Sequence, residues 1–350
     1  MRPERARYDG DLSDENPRGQ RSRVVLVLIN LVSVGFLVWS LKDVKLGALA
    51  EDLAAMNWWW VTAAVIAGLA AYAWQAWRWS LLLHPVEPVS FWQTVRAIYV
   101  GLFANEVLPF HAGEVIRCYL VSRWTELPFS VSLTSVLIER IFDGIWLCLC
   151  LVLTLKTIPI PRHMHWLVDG GYILGAFVLG ATALLAIAMS RRTETRAALS
   201  GKNWQRHLRV LIDDLSLIGH SRYLYFAFFQ SLPYLLLQVI PIYAAFNGYG
   251  FETLLLGDAF ALMVILRVSS VLPQLPANLG IFQILTKECL TRIYHVLPRD
   301  AENFSLVLWG IVTLPLLLGG LVAVTVTGAR IGELRRAAHV EQAELAKSRE

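Results

Sequence analysis

Two apolar segments of this chain, at residues 105–114 and 271–283, are each interrupted by a proline and then a glycine. Each segment carries Val-Leu-Pro, then Gly113 or Gly280, and a side chain with a carboxyl or amide group follows that glycine. Backbone that leaves a helix at membrane depth is tolerated only where protein buries it or water lines it. Paired broken helices in the two halves of a membrane protein are typical of transporters, where they lie near the bilayer midplane. The pair therefore predicts a cavity, or the place where the two halves meet.

The composition around these segments is that of an integral membrane protein. Of the 350 residues, 56% are hydrophobic and only 17% are charged, and the mean hydropathy is +0.52. A helix crosses about 30 Å of hydrocarbon with roughly 20 apolar residues. The stretches long enough to do so are 24–40, 58–77, 132–154, 166–189, 223–247 and 303–327. We therefore expect an all-α polytopic bundle, with one membrane domain over residues 23–328 and no sizeable soluble domain.

Charged segments flank and divide this domain. Residues 1–22 mix acidic and basic residues with Pro and Gly, which is typical of a disordered tail, and residues 329–350 form a second charged tail. Apolar residues recur at helical spacing over 200–218, which predicts either an interfacial amphipathic helix or a short helix packed on the base of the bundle. The apolar run 24–40 is long for a cleaved signal peptide, so we interpret it as a retained helix.

The distribution of basic residues sets the expected orientation. They are concentrated in 191–222 and in the C-terminal tail, whereas the loops 41–57 and 155–165 hold two each. Lys and Arg are enriched in cytoplasmic loops. We therefore expect a multi-pass protein of the cell (inner) membrane with both termini in the cytoplasm.

This orientation divides the chain into two similar units. Segment 91–123 must start and end on the cytoplasmic side, as a re-entrant hairpin or at the surface, and segment 253–292 must enter and leave from the outside. Residues 23–157 and 165–328 then become inverted repeats with a hairpin each, an arrangement found in many secondary transporters. If the C-terminal tail lay outside instead, 253–271 would be a full span.

Glu139, Arg140 and Asp143 place three charges inside the third predicted span. From a cytoplasmic edge near residue 130, Glu139 lies about 13 Å deep at roughly 1.5 Å per residue. Charges at such depth usually face a cavity or a partner. Arg140 can reach Asp143, and the negative charge left over favours a further cation, for which Arg78 and Arg117 are the candidates. The group is either a binding site or an ion pair that holds helices together.

The first hairpin offers a candidate anion site. Pro109 lacks an N–H and Gly113 permits unusual backbone angles, so together they can turn the chain. A helix that begins near Gly113 would present free N–H groups to an anion. Glu114, in its first turn, can stabilise the helix dipole or pair with Arg117, which is itself a candidate ligand for phosphate. Asn105 is the polar residue that precedes the break.

The second hairpin combines a cation with an amide. Arg267 precedes Pro273 and Pro276, and Gly280 and Gln283 follow them. Gln283 can donate and accept hydrogen bonds without the free-energy cost of a buried charge. We therefore include Arg267 and Gln283 among the candidate substrate-binding residues.

Other kinds of site find little support in the sequence. The net charge of +4 is modest, and no basic face or known motif indicates nucleic-acid binding. The four cysteines show no metal-binding spacing, and His163 and His165 lack a third ligand. We expect no cofactor and no metal.

One set of polar residues in the first half carries a resemblance to a known family. These residues are Arg78-Trp79, Asn105, Leu108-Pro109, Gly113-Glu114, Arg117, Arg123 and Glu139-Arg140-x-x-Asp143. In this set the chain resembles the lysylphosphatidylglycerol synthase transmembrane-domain family, a flippase-like group of multi-pass proteins. In the second half, Pro276-x-x-Leu279-Gly280-Ile281-Phe282 is similar to the second motif of that family, and the resemblance covers about 24–327.

Two departures narrow what the resemblance implies. Family members that aminoacylate lipids carry a large soluble catalytic domain after the membrane part, whereas this chain ends at residue 350, so we do not expect lysyl transfer. The second motif of the family has paired glycines and a closing Glu, where this chain has Ala277-Asn278 and Gln283. This difference argues against proton coupling through a carboxylate at the second hairpin.

The leading hypothesis is a flippase-like protein, not an enzyme, that translocates an anionic lipid, either a phospholipid or a polyprenyl-phosphate-linked glycolipid. The arginines at 78, 117 and 140 would contact the phosphate, and the acids at 114, 139 and 143 would position those arginines or exchange a proton. A second hypothesis is a non-transporting subunit that anchors or regulates a partner enzyme, such as a glycosyltransferase or lipid synthase. A third is an intramembrane enzyme that acts on a lipid headgroup, although no nucleophile or metal set is recognisable.

Overall fold

The computed structural model describes residues 46–107, 112–158, 165–190, 221–269 and 280–327. Within these ranges the regular structure is helical and contains no strand, which confirms the all-α class. The helices are α1 (Leu46–Ala55), α2 (Trp58–Leu83), α3 (Phe91–Val107), α4 (Gly113–Trp124), α5 (Phe129–Thr157), α6 (His165–Ser190), α7 (Arg222–Leu237), α8 (Val239–Tyr249), α9 (Leu256–Ser269), α10 (Ile281–Arg292) and α11 (Pro298–Thr327).

Several predicted features lie outside the described residues. They are the two tails, the first predicted span at 24–40, the amphipathic helix at 200–218, and the turn residues Pro109, Pro273 and Pro276.

Within the described ranges, two helical stretches are long and apolar enough to cross a membrane, and a third qualifies if a bent pair counts as one span. Helices α7 and α8 together give 28 residues of mean hydropathy 1.4, and α11 gives 30 residues of mean hydropathy 2.3. The bent pair is Leu49–Ala55 with α2, which meet at 91°. These stretches cover the predicted spans 58–77, 223–247 and 303–327. The predicted spans 132–154 and 166–189 are helical too, in α5 and α6.

Local sequence explains where these helices begin and end. Asn57 caps α2, since its side-chain oxygen accepts the Trp59 N–H at 3.1 Å. Ser221 caps α7 in the same way through the Tyr223 N–H at 3.2 Å. Between α7 and α8, Gln238 Nε2 donates to the Tyr234 carbonyl at 3.2 Å. Side chains therefore satisfy backbone groups that the helix ends leave without partners.

Helix α2 lies at the centre of the bundle, where it packs against α3, α5, α7, α8 and α11. Helices α3 and α4 pack on each other as a hairpin, and α3 also packs along α11. On the other side, α9 packs on α5, α8 and α10. One apolar core joins α8, α9 and α11 with parts of α2 and α5, and a second joins α2 with the α3–α4 hairpin.

The outer face of α6 is strongly apolar. Ile173, Phe177 and Leu179 are 71%, 74% and 70% exposed. In water such a face would be costly, but lipid tails cover it at no cost because they are equally apolar. This surface agrees with the membrane class that the composition predicts.

Candidate functional site

Helices α2, α4 and α5 bring six charged side chains into one network, which we call the ionic cluster. Its members are Arg78, Glu114, Arg117, Glu139, Arg140 and Asp143. All six were predicted from the sequence as candidate site residues. With three arginines and three acids, the cluster is formally neutral.

Like Glu139, Arg78 is fully buried in the ionic cluster. Its side chain is 0% exposed, and its Nη2 donates to Glu139 Oε1 at 2.9 Å and to Asp143 Oδ2 at 3.1 Å. Its Nη1 donates to Ser231 Oγ at 2.6 Å and to Asp143 Oδ1. The guanidinium also lies 4.8 Å from the ring centre of Tyr234. A buried charge needs this degree of pairing, since the desolvation cost is otherwise several kcal/mol.

Arg117 reaches the same carboxylate from the hairpin. Its Nη2 donates to Glu139 Oε2 at 2.7 Å, so each oxygen of Glu139 accepts from a different arginine. Arg117 is 3% exposed and lies 4.7 Å over the ring of Trp79. Its Nε is buried and has no hydrogen-bond partner. The prediction of a further cation near Glu139 is confirmed, and both candidates fill the role.

Arg140 and Glu114 form the accessible part of the cluster. Arg140 Nη2 lies 2.7 Å from Glu114 Oε1, and the two side chains are 42% and 29% exposed. The same guanidinium is 3.9 Å from Asp143 Oδ2, so the predicted reach from Arg140 to Asp143 is confirmed. The sequence left open whether Glu114 pairs with Arg117. In the structure each pairs with a residue of α5 instead: Glu114 with Arg140 and Arg117 with Glu139. Burial therefore grades from Arg78 outward to Arg140.

The first hairpin closes at a pair of glycines. Helix α4 begins at Gly113, as predicted, and the Gly113 N–H donates to Asn105 Oδ1 at 2.8 Å. A Cβ placed on Gly113 would lie 1.8 Å from the Gly101 carbonyl oxygen. Only glycine therefore allows α3 and α4 to approach this closely, and Asn105 acts on the backbone of the turn.

A small cavity with both polar and apolar walls lies between this hairpin and the ionic cluster. Its volume is about 20 Å³, which is room for about one water molecule. The residues that line it are Gln75, Ile98, Gly101, Leu102, Asn105, Gly113, Glu114, Arg117 and Arg140. A phosphate group would need this space to widen, and the Arg140–Glu114 pair is the exposed contact at its edge.

The second hairpin places its two candidate residues differently. Gln283 is 4% exposed and its Oε1 accepts the Gly280 N–H at 2.7 Å, so it caps α10, while its Nε2 has no hydrogen-bond partner. Gly280 has φ of 93°, a value that favours glycine. Arg267, in the last turn of α9, lines a separate cavity of about 180 Å³.

Sequence reasoning missed the residues of α7 that complete the site. Ser231 accepts a hydrogen bond from Arg78 and Tyr234 lies under its guanidinium. They stand three apart and therefore share a helix face, but one Ser and several Tyr in an apolar span give no signal for an arginine partner elsewhere. The sequence analysis singled out Trp79 next to Arg78, but it did not predict that the Trp79 indole N–H donates to Ser135 Oγ at 2.8 Å.

Among the described residues, no group of three or more His, Cys, Asp or Glu side chains is arranged to hold a metal ion. The cluster is instead built from ion pairs and hydrogen bonds. The N–H groups of the exposed Arg140 and the unpaired Nε of Arg117 are suited to an anionic group, because guanidinium groups match the geometry of phosphate and carboxylate.

Comparison with known proteins gives one family and one curated relative. The family model of the lysylphosphatidylglycerol synthase TM region matches residues 24–318. A UPF0104 membrane protein of Methanothermobacter thermautotrophicus is 24% identical over 235 residues, covering 58% of this chain and 65% of that protein. The chain thus spans less than two thirds of the length of this relative. No solved structure matches.

Proposed function

The chain belongs to the lysylphosphatidylglycerol synthase TM-region family, and from that premise we propose that it binds an anionic lipid at the ionic cluster and translocates it. The lipid is a phospholipid or a polyprenyl-phosphate-linked glycolipid, and the step requires no covalent chemistry by this chain. The observation that carries the proposal is the ionic cluster itself, with its buried and half-buried charges beside the packed helices α3 and α4. Ionisable groups inside a membrane domain are costly and usually serve a substrate or ion pathway.

Packing between the helices supports an architecture of inverted repeats with re-entrant hairpins. Helix α3 packs on α11 and α9 packs on α5, while α4 packs on α5 and α10 on α11. These contacts interchange if the α2–α5 unit is exchanged with the α8–α11 unit. Helices α4 and α10 have 12 residues each, or about 18 Å at 1.5 Å per residue, which is too short to cross about 30 Å of hydrocarbon. In the proposed orientation the protein lies in the cell membrane with both termini in the cytoplasm.

Arg140 is the proposed contact residue for the phosphate. It is the most exposed arginine of the cluster at 42%, whereas both Nη atoms of Arg78 donate to protein groups. An incoming phosphate would replace Glu114 as the partner of Arg140 and widen the small cavity toward the free Nε of Arg117. Arg78, Glu139 and Asp143 would act as positioning residues. Bidentate arginine–phosphate pairs are among the stronger hydrogen-bonded contacts in proteins.

A liposome assay of lipid exchange tests this function. We expect Arg140→Ala to slow the movement of labelled phosphatidylglycerol between leaflets by about tenfold or more, which corresponds to about 1.4 kcal/mol of lost interaction. Arg140→Lys should retain part of the rate, because a point charge keeps attraction but loses the bidentate geometry. The matched control is Arg292→Ala, which removes an arginine 58% exposed and paired with Glu288 on α10. Equal exchange by wild type and Arg140→Ala, across phospholipid and polyprenyl-phosphate probes, would contradict the proposal.

A second candidate function is a membrane subunit that anchors or regulates a lipid-modifying or glycosyl-transferring enzyme. It is favoured by the description of the matched family as the membrane region of a synthase. Purification of the full chain from its native membrane tests it. A stoichiometric enzyme partner, together with no exchange by the isolated chain, would favour this function over transport.

A further inference from the structure

The larger cavity lies beside the second hairpin and is mostly apolar. Its volume is about 180 Å³, and small residues of α2 form one wall: Ala64, Gly68 and Ala71. Tyr72, Gln238, Arg267 and Ser269 provide its polar groups. A dry apolar cavity of about 150 Å³ is known to bind benzene. This cavity therefore has room for a hydrocarbon segment rather than for a few waters alone.

One face of α2 connects this cavity to the ionic cluster. Gly68, Ala71, Gln75 and Arg78 recur at spacings of three or four residues, so they share a face. Gly68 and Ala71 line the large cavity, Gln75 lines the small one, and Arg78 belongs to the ionic cluster. Gly68 and Gln75 are seven residues apart, or about 10 Å along the helix. The two cavities are therefore neighbours along a single helix.

Tyr72 provides a second link between the two sites. It lines the large cavity together with Arg267, and it stands three residues before Gln75, which lines the small cavity. Tyr72 is also the cavity-lining residue of α2 nearest in sequence to Arg78, so the polar end of the large cavity lies toward the cluster, while the small residues of α2 continue away from it. This order, charge first and hydrocarbon space beyond, matches an amphiphile with an anionic head.

We propose that the large cavity receives the hydrocarbon chain of the lipid whose phosphate binds beside Arg140, so that one molecule lies along α2 from the ionic cluster to Ala64. This inference rests on the proposed function and names the part of the lipid that the second half of the protein recognises. Lipid tails are as apolar as the cavity wall, so van der Waals packing holds the chain there. The fit of the chain to the cavity thereby contributes to the choice of lipid.

The test is photo-crosslinking of the full chain in nanodiscs with phosphatidylglycerol that carries a diazirine in mid-chain. We expect adducts on the peptides of α2 and α9 that line the cavity. Gly68→Leu should reduce these adducts by about tenfold, a loss equivalent to about 1.4 kcal/mol, because the new side chain occupies the space. A Cβ on Gly68 would have Pro241 Cγ as its nearest neighbour at 3.9 Å, so the substitution fills the cavity without a backbone clash. Gly68→Val is a smaller second filling variant.

Gly180→Leu is the matched control, since a Cβ there meets nothing within 4 Å and the residue is exposed on α6. It should leave the cavity adducts unchanged. Arg140→Ala should reduce them too, and a diazirine-labelled diacylglycerol without phosphate should label the cavity less than phosphatidylglycerol does. Adducts that persist in both Gly68 variants, or equal labelling by the neutral probe, would overturn the inference. Absence of leaflet exchange in wild type would instead refute the transport proposal, and the crosslinking pattern would still decide whether the chain occupies the cavity.

Discussion

At the scale of single residues, the ionic cluster separates side chains that hold the site from those that face outward. The sequence predicted that Glu139, Arg140 and Asp143 lie on one helix and interact, because charges inside an apolar span are costly unless they face a partner or a cavity. It also predicted that Arg78 or Arg117 would balance them, since charge neutrality at depth demands a cation. The sequence could not predict which arginine remains accessible. That property depends on how the helices pack: α7 packs on α2 and brings Ser231 against Arg78, whereas Arg140 stays 42% exposed.

Removal of Arg78 should therefore damage the fold more than removal of Arg140. Arg78→Ala leaves Glu139 with Arg117 alone and Asp143 with only the 3.9 Å contact to Arg140, and breaking a buried ion pair costs about 3–5 kcal/mol. Arg140→Ala removes a half-exposed side chain, and exposed pairs contribute only about 0–1 kcal/mol. Thermal unfolding of the purified variants in detergent measures the difference. Equal melting temperatures for the two variants would show that burial does not set the role of Arg78.

At the scale of elements, the helix break before Gly113 could be predicted from the sequence. Pro and Gly inside an apolar run predict a break, and α4 does begin at Gly113. The partner of that glycine was not predictable, because Gly101 stands inside an otherwise regular helix. Its place opposite Gly113 follows from how the two helices pack. Likewise, Gln283 reads as a possible ligand in the sequence, yet its carbonyl oxygen is used to cap α10.

Gly113→Ala should destabilise the first hairpin. The added Cβ would lie 1.8 Å from the Gly101 carbonyl oxygen and 2.6 Å from Asn105 Oδ1, so α3 and α4 must separate. Overpacking of this kind typically costs about 1–3 kcal/mol, and here the obstacle is backbone. We expect a lower melting temperature and slower lipid exchange. Gly170→Ala on α6 is the control, since a Cβ there meets nothing within 4 Å; similar losses in both variants would rule out the close approach as the cause.

At the scale of the whole molecule, the two halves are joined through long-range contacts that no local pattern specifies. Apolar runs and basic loops predict the number and direction of spans, but they carry no information on which helix packs against which. The contact of the first hairpin with the last helix, α3 on α11, is of this kind. So is the central place of α2, whose one face serves both cavities. Such contacts follow from side-chain shape over the whole bundle, and small residues permit the closest of them.

Gly320 is the position at which the closeness of the two halves is most directly testable. A Cβ on Gly320 would lie 2.5 Å from Phe103 Cβ and 3.0 Å from the Tyr99 carbonyl oxygen, so Gly320→Ala must push α11 away from α3. The expected cost is about 1–3 kcal/mol, in the range of other overpacked sites, and it should appear as a lower melting temperature in detergent. Gly310→Ala on the same helix is the matched control, because its Cβ would make only an ordinary 3.8 Å contact with Leu314.

If translocation requires the first hairpin to move against α11, lipid exchange should fall in Gly320→Ala even at temperatures where the variant is fully folded. An unchanged melting temperature would show that α3 and α11 do not approach as closely as this contact implies.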